Sequence, residues 1–436
     1  MKLNIKNFAK IKEADIIIDG ITVIAGENNT GKSTVGKIVF SLFNALSEID
    51  NKIRAERLKE IETTNRNIML NHVSALDLPR STANRTALNN ARKINIQLRQ
   101  QLDDNLDVQD ESIFDIVEKV ITNWGTAVEH SKKHDWSEMI DEVYRNTREV
   151  LNLSEEIIAM EFISRYFNNV FHSQIQSLSN KEKQEAVLIL DIKGKKEQIH
   201  FDKNYCKKFV SEMNIIHKAI YIDNPFIVDE LSEYNHLNPM NQMLTNLLYD
   251  SYKDGSLDGV IEAVRAKEKL ANIFEMLQNV VDGEIIIDQN EEFYLKCDDY
   301  DEPISIHNLS TGMKSFVILK MLLEKGCLRN KDVVILDEPE IHLHPQWQIA
   351  YAELIVLLQK QFDLSVVVTT HSPYFVDAIN LFSCKYGTDA KVNYYLSSNN
   401  GNAVSMEAVT EKIDLIYKKM ASPIPMLDTL RYELNN

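Results

Sequence analysis

Residues 26–33 read GENNTGKS, and this stretch decides how the chain is built. It follows an apolar run, Ile21–Ala25, that favours a buried β-strand, and it opens a helical run that begins at Ser33. The spacing GxxxxGK[ST] between a strand and a helix is the pattern of a phosphate-binding loop, in which backbone N–H groups and the positive end of the helix face phosphate oxygens. We therefore predict a phosphate site formed by Gly26, Asn28, Asn29, Thr30, Gly31, Lys32, Ser33 and Thr34.

Lys32 and Ser33 carry the chemistry that a phosphate-binding loop needs. The Lys32 ammonium is placed to neutralise the β- and γ-phosphates of a nucleoside triphosphate, and the Ser33 hydroxyl is a ligand type that Mg²⁺ accepts. Asn29 stands where a glycine is frequent, and asparagine tolerates such a turn position because it readily enters the left-handed region. The alternative, a chance glycine-rich turn, leaves the matching strand and helix unexplained.

A second apolar strand ends in two acids. Val333–Leu336 is apolar at every position, as expected for a parallel strand that is covered on both faces, and Asp337 and Glu338 follow it. Ligands bind at the carboxyl ends of such strands. We therefore predict that Asp337 joins the Mg²⁺ shell and that Glu338 polarises the attacking water. The alternative is a strand that ends in solvated acids.

Ser310 and Gly312 precede another predicted helix, Lys314–Glu324. Ser310 is suited to cap that helix, and a capped N-terminus beside a glycine makes a second anion site. Taken alone, the same residues describe an ordinary helix start.

Three histidines also fall near predicted strand ends. His371 closes the strand Ser365–Thr370, where its ring can donate to a γ-phosphate or serve as a hydrogen-bonded structural histidine. His342 and His344 lie two residues apart after a proline, a spacing that fits neither a helical zinc pair nor a closed tetrahedral set. We do not predict a metal site at this pair.

Composition limits the class of protein. The 436 residues are 44% hydrophobic, which is ample for a large core, and the net charge is −17. Coating of nucleic acid or of an anionic membrane is disfavoured by that charge. No apolar run approaches the roughly 18 residues of a membrane helix, and the N-terminus does not resemble a signal peptide. We expect a cytoplasmic protein without membrane contact, and four widely separated cysteines fit a reducing compartment: Cys206, Cys297, Cys327 and Cys384.

The distribution of glycine, proline and β-branched residues predicts the domain organisation. Strands at the start of the chain and a βα alternation after Leu309 predict one α/β domain with a largely parallel sheet, built from residues 1–45 and 284–436. Residues 46–283 are predicted to form a mostly helical insertion, broken at Pro79 and carrying a β-hairpin near 186–201.

Several local features complete the expected fold. Asp19-Gly20 is a strong turn signal that predicts a hairpin between Ile11–Ile18 and Ile21–Ala25. Near the end, an Asn399-Asn400-Gly401 turn is expected to precede a helix from about Ala408 to Met420. Ser422–Leu427 then has the composition of a docking segment.

The order of these sequence features resembles the ABC-type ATPase family. Four features follow one another along the chain: the phosphate loop, Leu309-Ser310-Thr311-Gly312, the apolar strand that ends in Asp-Glu, and the strand that ends in His. Residues 337–345 (DEPEIHLHP) resemble the soluble SMC/RecF/OLD-like branch of that family. The resemblance covers roughly residues 1–45 and 284–380. It implies a P-loop ABC-ATPase head that binds ATP and Mg²⁺ between two heads, hence a head-to-head homodimer or a higher oligomer.

The resemblance also implies roles for single residues. It assigns Ser310 and Gly312 to the γ-phosphate of the partner's nucleotide, Glu338 to general base and His371 to the γ-phosphate switch. Thr311 and Met313 depart from the glycine and glutamine that are usual at those positions, which puts the hydrolysis rate in doubt. No glutamine of this sequence is assigned to the Q-loop position of the family.

The resemblance is closest to stand-alone ATPases of the PtuA or AriA type, which are encoded beside a separate effector in prokaryotic anti-phage systems. Because 65 residues follow His371 in this sequence, we do not expect a TOPRIM nuclease domain there. We expect an ATP-dependent switch that regulates a separately encoded nuclease or toxin.

Two alternatives remain: an ATP-cemented scaffold with little turnover, and a RecF-like ATPase that binds duplex DNA. For the latter, the best basic candidates are Lys193, Lys195, Lys196, Lys203, Lys207 and Lys208.

Overall fold

A computed structural model describes residues 1–74, 83–103, 110–127, 135–176, 184–231, 238–253, 271–290, 292–401, 403–420 and 429–434. The chain divides into two compact units, one made of Met1–Ser47 with Met160–Asn436 and the other of Glu48–Ala159. The predicted break at Pro79 and the docking segment Ser422–Leu427 lie outside the described residues. No helix among the described residues has the length and apolar character needed to cross a membrane.

Helices and strands alternate after Leu309 as expected, up to the final pair of strands. The strands are β1 (Lys2–Phe8), β2 (Ile11–Ile17), β3 (Ile21–Gly26), β4 (Ala186–Ile192), β5 (Lys195–Asp202), β6 (Tyr205–Ser211), β7 (Ala219–Ile222), β8 (Glu284–Ile287), β9 (Phe293–Lys296), β10 (Ile304–Ser305), β11 (Val333–Asp337), β12 (Ser365–Thr370), β13 (Val392–Asn400) and β14 (Ala403–Ala408). The helices are α1 (Lys32–Leu46), α2 (Ile49–Ser74), α3 (Ala83–Asp103), α4 (Asp110–Ala127), α5 (Ser137–Leu151), α6 (Glu155–Phe171), α7 (Pro239–Lys253), α8 (Ala271–Gln278), α9 (Thr311–Glu324), α10 (Pro345–Phe362), α11 (Pro373–Tyr386) and α12 (Asp414–Met420).

The larger unit is organised around an eleven-stranded sheet in the order β6-β5-β4-β1-β2-β14-β13-β3-β12-β11-β7. Its parallel half runs from β13 to β7, where every neighbouring pair is parallel. All six residues of β3 are buried, as expected for a strand that is covered on both faces. The predicted parallel-rich sheet built from both ends of the chain is confirmed.

The antiparallel half comprises β6, β5, β4, β1 and β2, which pair in that order. The predicted hairpin near 186–201 is confirmed as β4 and β5, with Ile192 opposite Lys195. Strands β8 and β9 form another hairpin, and they join β10 in a separate three-stranded sheet.

The hairpin predicted at Asp19-Gly20 is wrong. β2 pairs with β1 and β14, whereas β3 pairs with β12 and β13, so the β13–β14 hairpin lies between them. Gly20 has a φ of 57°, and a Cβ there would lie 2.3 Å from the backbone oxygen of Lys391. The turn therefore passes against the start of β13 instead of closing a hairpin.

Two other boundaries are corrected. Residues 160–283, which the sequence assigned to the insertion, belong to the larger unit because β4 pairs with β1 and β7 with β11. The helix expected from about Ala408 begins at Asp414, since Ala403–Ala408 pairs with β13 as a strand.

The smaller unit, Glu48–Ala159, is helical where it is described and has its own apolar core. The rings of Trp124 and Trp136 meet edge to face at 5.1 Å within this core. A buried hydrogen bond of 3.0 Å from Asn65 of α2 to Thr147 of α5 fixes the register of two of its helices.

Candidate functional site

The glycine-rich loop joins β3 to α1 at the carboxyl end of the parallel half. Asn29 has a φ of 64°, which confirms that asparagine adopts the left-handed conformation here, and Gly31 caps α1 with a φ of 76°. The Thr30 hydroxyl donates to the backbone oxygen of Glu27 over 2.7 Å and lies 2.6 Å from the hydroxyl of Ser397 on β13. The loop is therefore held from behind by a strand that the sequence did not connect with it.

Lys32 points back into its own loop. Its side chain is only 3% exposed, and its ammonium donates to the backbone oxygens of Gly26 at 3.0 Å and of Glu27 at 2.8 Å. It also lies 3.3 Å from a carboxylate oxygen of Glu338. A buried ammonium that faces the inside of the loop is well placed to exchange these acceptors for phosphate oxygens.

Asp337 is the centre of a group of hydroxyl donors. Its carboxylate accepts from Ser33 over 2.9 Å, from Tyr221 over 2.6 Å, and from Thr369 on β12. Three donors hold the carboxylate in one orientation and leave it beside Ser33, the second predicted Mg²⁺ ligand.

Tyr221 is a residue of the site that the sequence analysis missed. It lies on β7, a strand of four buried residues, and it is 1% exposed. Burial, and next the charge of Asp337, raise the pKa of its hydroxyl well above the ordinary value. Tyr221 is therefore a stable neutral donor to Asp337.

An open cleft of about 330 Å³ lies between the ends of β3, β7 and β11. Its walls are formed by Asn28, Asn29, Ser33, Asp223, Asp337, Glu338 and Ile341. Burial, and next the charge of Asp337, raise the pKa of Asp223, which directly follows β7. Asp223 was also missed, and no glutamine is among the described residues that form the walls.

Glu338 and His371 face each other where β11 and β12 end. Glu338 has a φ of 51°, an uncommon conformation for a residue with a side chain, and its backbone N–H donates to Thr369. The Nδ1 atom of His371 lies 3.7 Å from Oε2 of Glu338. Strained backbone of this kind is concentrated at functional sites, because the surrounding structure has to stabilise it.

Ser310 and Gly312 lie apart from this group. Ser310 caps α9 as predicted, by accepting from the backbone N–H of Met313 at 3.4 Å, and its side chain is exposed. A Cβ at Gly312 would lie 2.9 Å from the ring of Trp347, so close packing alone requires glycine there. Neither residue is among the described residues that form the walls of the cleft.

His342 and His344 make structural contacts, and the candidate lysines are distributed over β5, β6 and the neighbouring turns. His344 caps α10 by accepting from the backbone N–H of Gln346 at 3.4 Å, and His342 meets the ring of Phe226 edge to face. The lysines of 193–196 lie at the β4–β5 turn, whereas Lys203 lies at the β5–β6 turn, at the other end of β5. Because the eight residues of β5 separate these turns, Lys203 lies apart from the lysines of 193–196. Lys207 and Lys208 lie on β6, and Lys207 forms an ion pair with Glu185 at 2.7 Å.

At one end of the parallel half, beside the other predicted residues of the loop, contacts thus link Lys32, Ser33, Asp337, Glu338 and His371. The donor set fits a magnesium ion, since a serine hydroxyl and a carboxylate are hard oxygen ligands and Asp337 is already oriented by hydrogen bonds.

A phosphate-binding loop joined to a strand that ends in Asp-Glu is the arrangement of an ATPase. Residues 1–376 match the AAA ATPase domain family, and the chain belongs to this family.

Relatives with curated names match a smaller part of the chain. Septu protein PtuA of Bacillus thuringiensis is 30% identical over an alignment that covers 24% of this chain and 35% of that protein. The retron Ec83 probable ATPase of Escherichia coli is 32% identical over 20% of this chain and 18% of that protein. The chain therefore aligns with about a third or less of the length of these relatives.

The chain is similar to solved structures of SMC head domains. The SMC head domain from Thermotoga maritima is 10% identical, with a TM-score of 0.39, over 94% of this chain and 98% of that structure.

Proposed function

We propose that this ATPase binds ATP with Mg²⁺ in the cleft, pairs head to head with a second copy, and thereby regulates a separately encoded effector, such as a nuclease or toxin, in anti-phage defence. The observation that carries the proposal is that Lys32, Asp337 and Glu338 lie together: Asp337 and Glu338 line the cleft, and the Lys32 ammonium lies 3.3 Å from Glu338. These residues supply, respectively, a cation for phosphate, an oriented carboxylate and a candidate base.

The proposed division of labour follows from the contacts. Phosphate oxygens replace the backbone oxygens of Gly26 and Glu27 at the Lys32 ammonium, which also frees Glu338 from its ion pair. Ser33 and Asp337 hold Mg²⁺, which supplies positive charge to the phosphate oxygens. Glu338 then accepts the proton of the attacking water, and His371 donates to the γ-phosphate.

Pairing of two copies is supported by what one copy leaves open. The cleft opens to solvent, and the capped N-terminus of α9 presents an exposed Ser310 that does not reach it. Ile341 at the cleft is 53% exposed and Phe226 is 41% exposed. A second copy that covers these apolar side chains and brings Ser310 to the nucleotide explains both features.

Regulation of an effector rests on the relatives rather than on the geometry. The similarity to Septu protein PtuA and to retron ATPases supports an anti-phage role, and it extends over a minority of each protein. The smaller unit, Glu48–Ala159, is the proposed contact for the effector, because it folds around its own core and contains none of the site residues.

The decisive experiment measures ATP-dependent pairing. Glu338→Gln protein, in which ATP persists, is expected to dimerise with ATP in light scattering, and adding Ser310→Arg is expected to leave a monomer that still binds ATP. Ser154→Arg is the matched control, since Ser154 is also an exposed serine immediately before a helix, α6. Equal dimerisation of the Ser310→Arg variant would overturn the place of Ser310 at the partner's nucleotide, whereas a lack of ATP-dependent dimers of Glu338→Gln protein would overturn the pairing. Dimers of unmutated protein without turnover would indicate a scaffold.

A further inference from the structure

We propose that Glu340 is a positioning residue that holds the His371 imidazole for the reaction. Glu340 lies in the loop after β11, two residues beyond the proposed base, and does not form part of the cleft wall. The inference rests on the proposed function, because it assigns Glu340 a role in the same hydrolysis.

One carboxylate oxygen of Glu340 accepts hydrogen bonds from the residues at the end of β12. Glu340 is 2% exposed, and its Oε1 accepts from the backbone N–H of His371 at 2.9 Å and from the hydroxyl of Thr370. The Nδ1 atom of His371 lies 3.5 Å from the same oxygen. Among the described residues, Oε2 has no hydrogen-bond partner. The hydrogen bonds of the Glu340 carboxylate are therefore all made to Thr370 and His371, which position the imidazole.

A second link joins the same two loops. The Gln348 side chain donates to the backbone oxygens of Glu340 at 3.4 Å and of Leu343 at 3.1 Å, and it accepts from the hydroxyl of Ser372 at 2.9 Å. Glu340 and Gln348 thus connect the loop after β11 to the residues on both sides of His371. A shift of one loop is transmitted to the other.

A buried carboxylate with an unpartnered oxygen is costly, and burial raises the pKa of Glu340. Packing alone does not explain such a residue, because an apolar side chain of the same size avoids the cost. Orientation of the His371 ring does explain why a carboxylate is buried here. A proton on Nδ1 faces the carboxylates of Glu340 and Glu338, which leaves Nε2 as the nitrogen available to phosphate.

Glu338 and Glu340 differ in what they reach. Glu338 is 21% exposed and forms part of the cleft wall, whereas Glu340 touches Thr370 and His371 beneath it. Glu340 therefore acts on the reaction through His371, and its effect has to disappear when the imidazole is removed.

A double-mutant cycle tests this dependence. Glu340→Gln preserves the shape and the accepting oxygen but removes the charge, so kcat is expected to fall about tenfold while the ATP Kd changes by less than about twofold. In a His371→Asn background the same substitution is expected to change kcat by less than about twofold. An equal loss in both backgrounds shows a purely structural role and overturns the proposal, as does the absence of any loss.

A readout without turnover separates this inference from the proposed function. In long-range ¹H–¹⁵N spectra of histidine-labelled protein, the ring signals that disappear in His371→Asn identify His371, and Glu340→Gln is expected to shift them. Glu353→Gln is the control, since Glu353 of α10 also accepts two hydrogen bonds, from Lys385 and Tyr386, away from the cleft. An unshifted signal contradicts the positioning role, whereas wild-type protein without ATPase activity contradicts only the proposed hydrolysis.

Discussion

The two halves of the large sheet use similar apolar strands, yet their polar residues are arranged differently. In the parallel half, β3, β7 and β11 end at one edge, so side chains at and just after their ends line one cleft. In the antiparallel half, successive strands end at opposite edges, and the lysines of the β4–β5 and β5–β6 turns stay apart. Parallel pairing is what converts scattered sequence positions into a site.

Two hydrogen-bonded carboxylates, one in each half of the sheet, sharpen this contrast. Asp337 in the parallel half accepts three hydroxyl hydrogen bonds and faces the cleft. Glu197 on β5 is 1% exposed, and its Oε1 accepts from the Ser211 hydroxyl and the backbone N–H of Met213. Its Oε2 has no partner among the described residues, and burial raises its pKa to about 7. We expect substitutions in the parallel half to change the reaction and those in the antiparallel half to change stability alone.

The largest effect is expected at Lys32. Lys32→Ala removes the ammonium that faces the phosphates, so ATP affinity in calorimetry is expected to fall at least about 10²-fold. Lys195→Ala, an exposed lysine of the antiparallel half, is the control and should bind ATP as the unmutated protein does. Unchanged affinity of the Lys32 variant would remove the loop from nucleotide binding.

The second-largest effect is expected for Glu338→Gln. ATP binding should persist, while kcat falls about 10²- to 10³-fold because the water loses its base. Phosphate release in single-turnover mixing measures this step, with Glu212→Gln, an exposed glutamate after β6, as the control. Turnover at the unmutated rate would exclude Glu338 from the chemistry.

Tyr221→Phe is expected to have a smaller effect. It removes one hydrogen bond to Asp337 without altering ring packing, so kcat should fall about tenfold and the half-saturating Mg²⁺ concentration should rise. Tyr205→Phe alters an exposed tyrosine of β6 and should change neither quantity. A kcat loss without any change in Mg²⁺ dependence would contradict a role through Asp337.

Glu197→Gln is expected to leave ATP turnover unchanged and to alter the pH dependence of stability. Burial raises the pKa of Glu197 from 4.5 to about 7, so the folded protein holds this proton more tightly and the wild type loses stability as pH rises between those values. The variant lacks this loss, and its Tm relative to wild type should be higher at about pH 8 than at about pH 5.

Thermal unfolding at the two pH values measures this difference. Glu185→Gln is the control, because the Lys207 ammonium lowers the pKa of this exposed carboxyl instead. A Tm difference that does not depend on pH would show that Glu197 is not the titrating group.

The features confirmed from the sequence depend on neighbouring residues. The loop at 26–33 carries its strand, glycines and helix within one segment, and β11 is apolar at every position before Asp337. The βα alternation after Leu309 predicts parallel pairing by the same local logic. Cap residues such as Ser310 are likewise readable because their partner lies three residues away.

What the sequence could not reveal depends on contacts between distant segments. Tyr221 is 116 residues from Asp337, and an apolar four-residue strand around a tyrosine carries no signal of that hydrogen bond. Glu340 is distinguished from any surface glutamate only by its burial against β12. The Asp19-Gly20 turn misled because turn chemistry specifies a reversal of direction and not which strand lies alongside.

The β13–β14 hairpin carries a consequence for biosynthesis. Ser397, which supports Thr30 of the phosphate loop, lies 367 positions further along the chain. At about 5–20 residues per second, ribosomes make that distance in roughly 20–70 s, during which β2 and β3 lack the strands that separate them. The phosphate loop therefore lacks the support of Ser397 until β13 has been made.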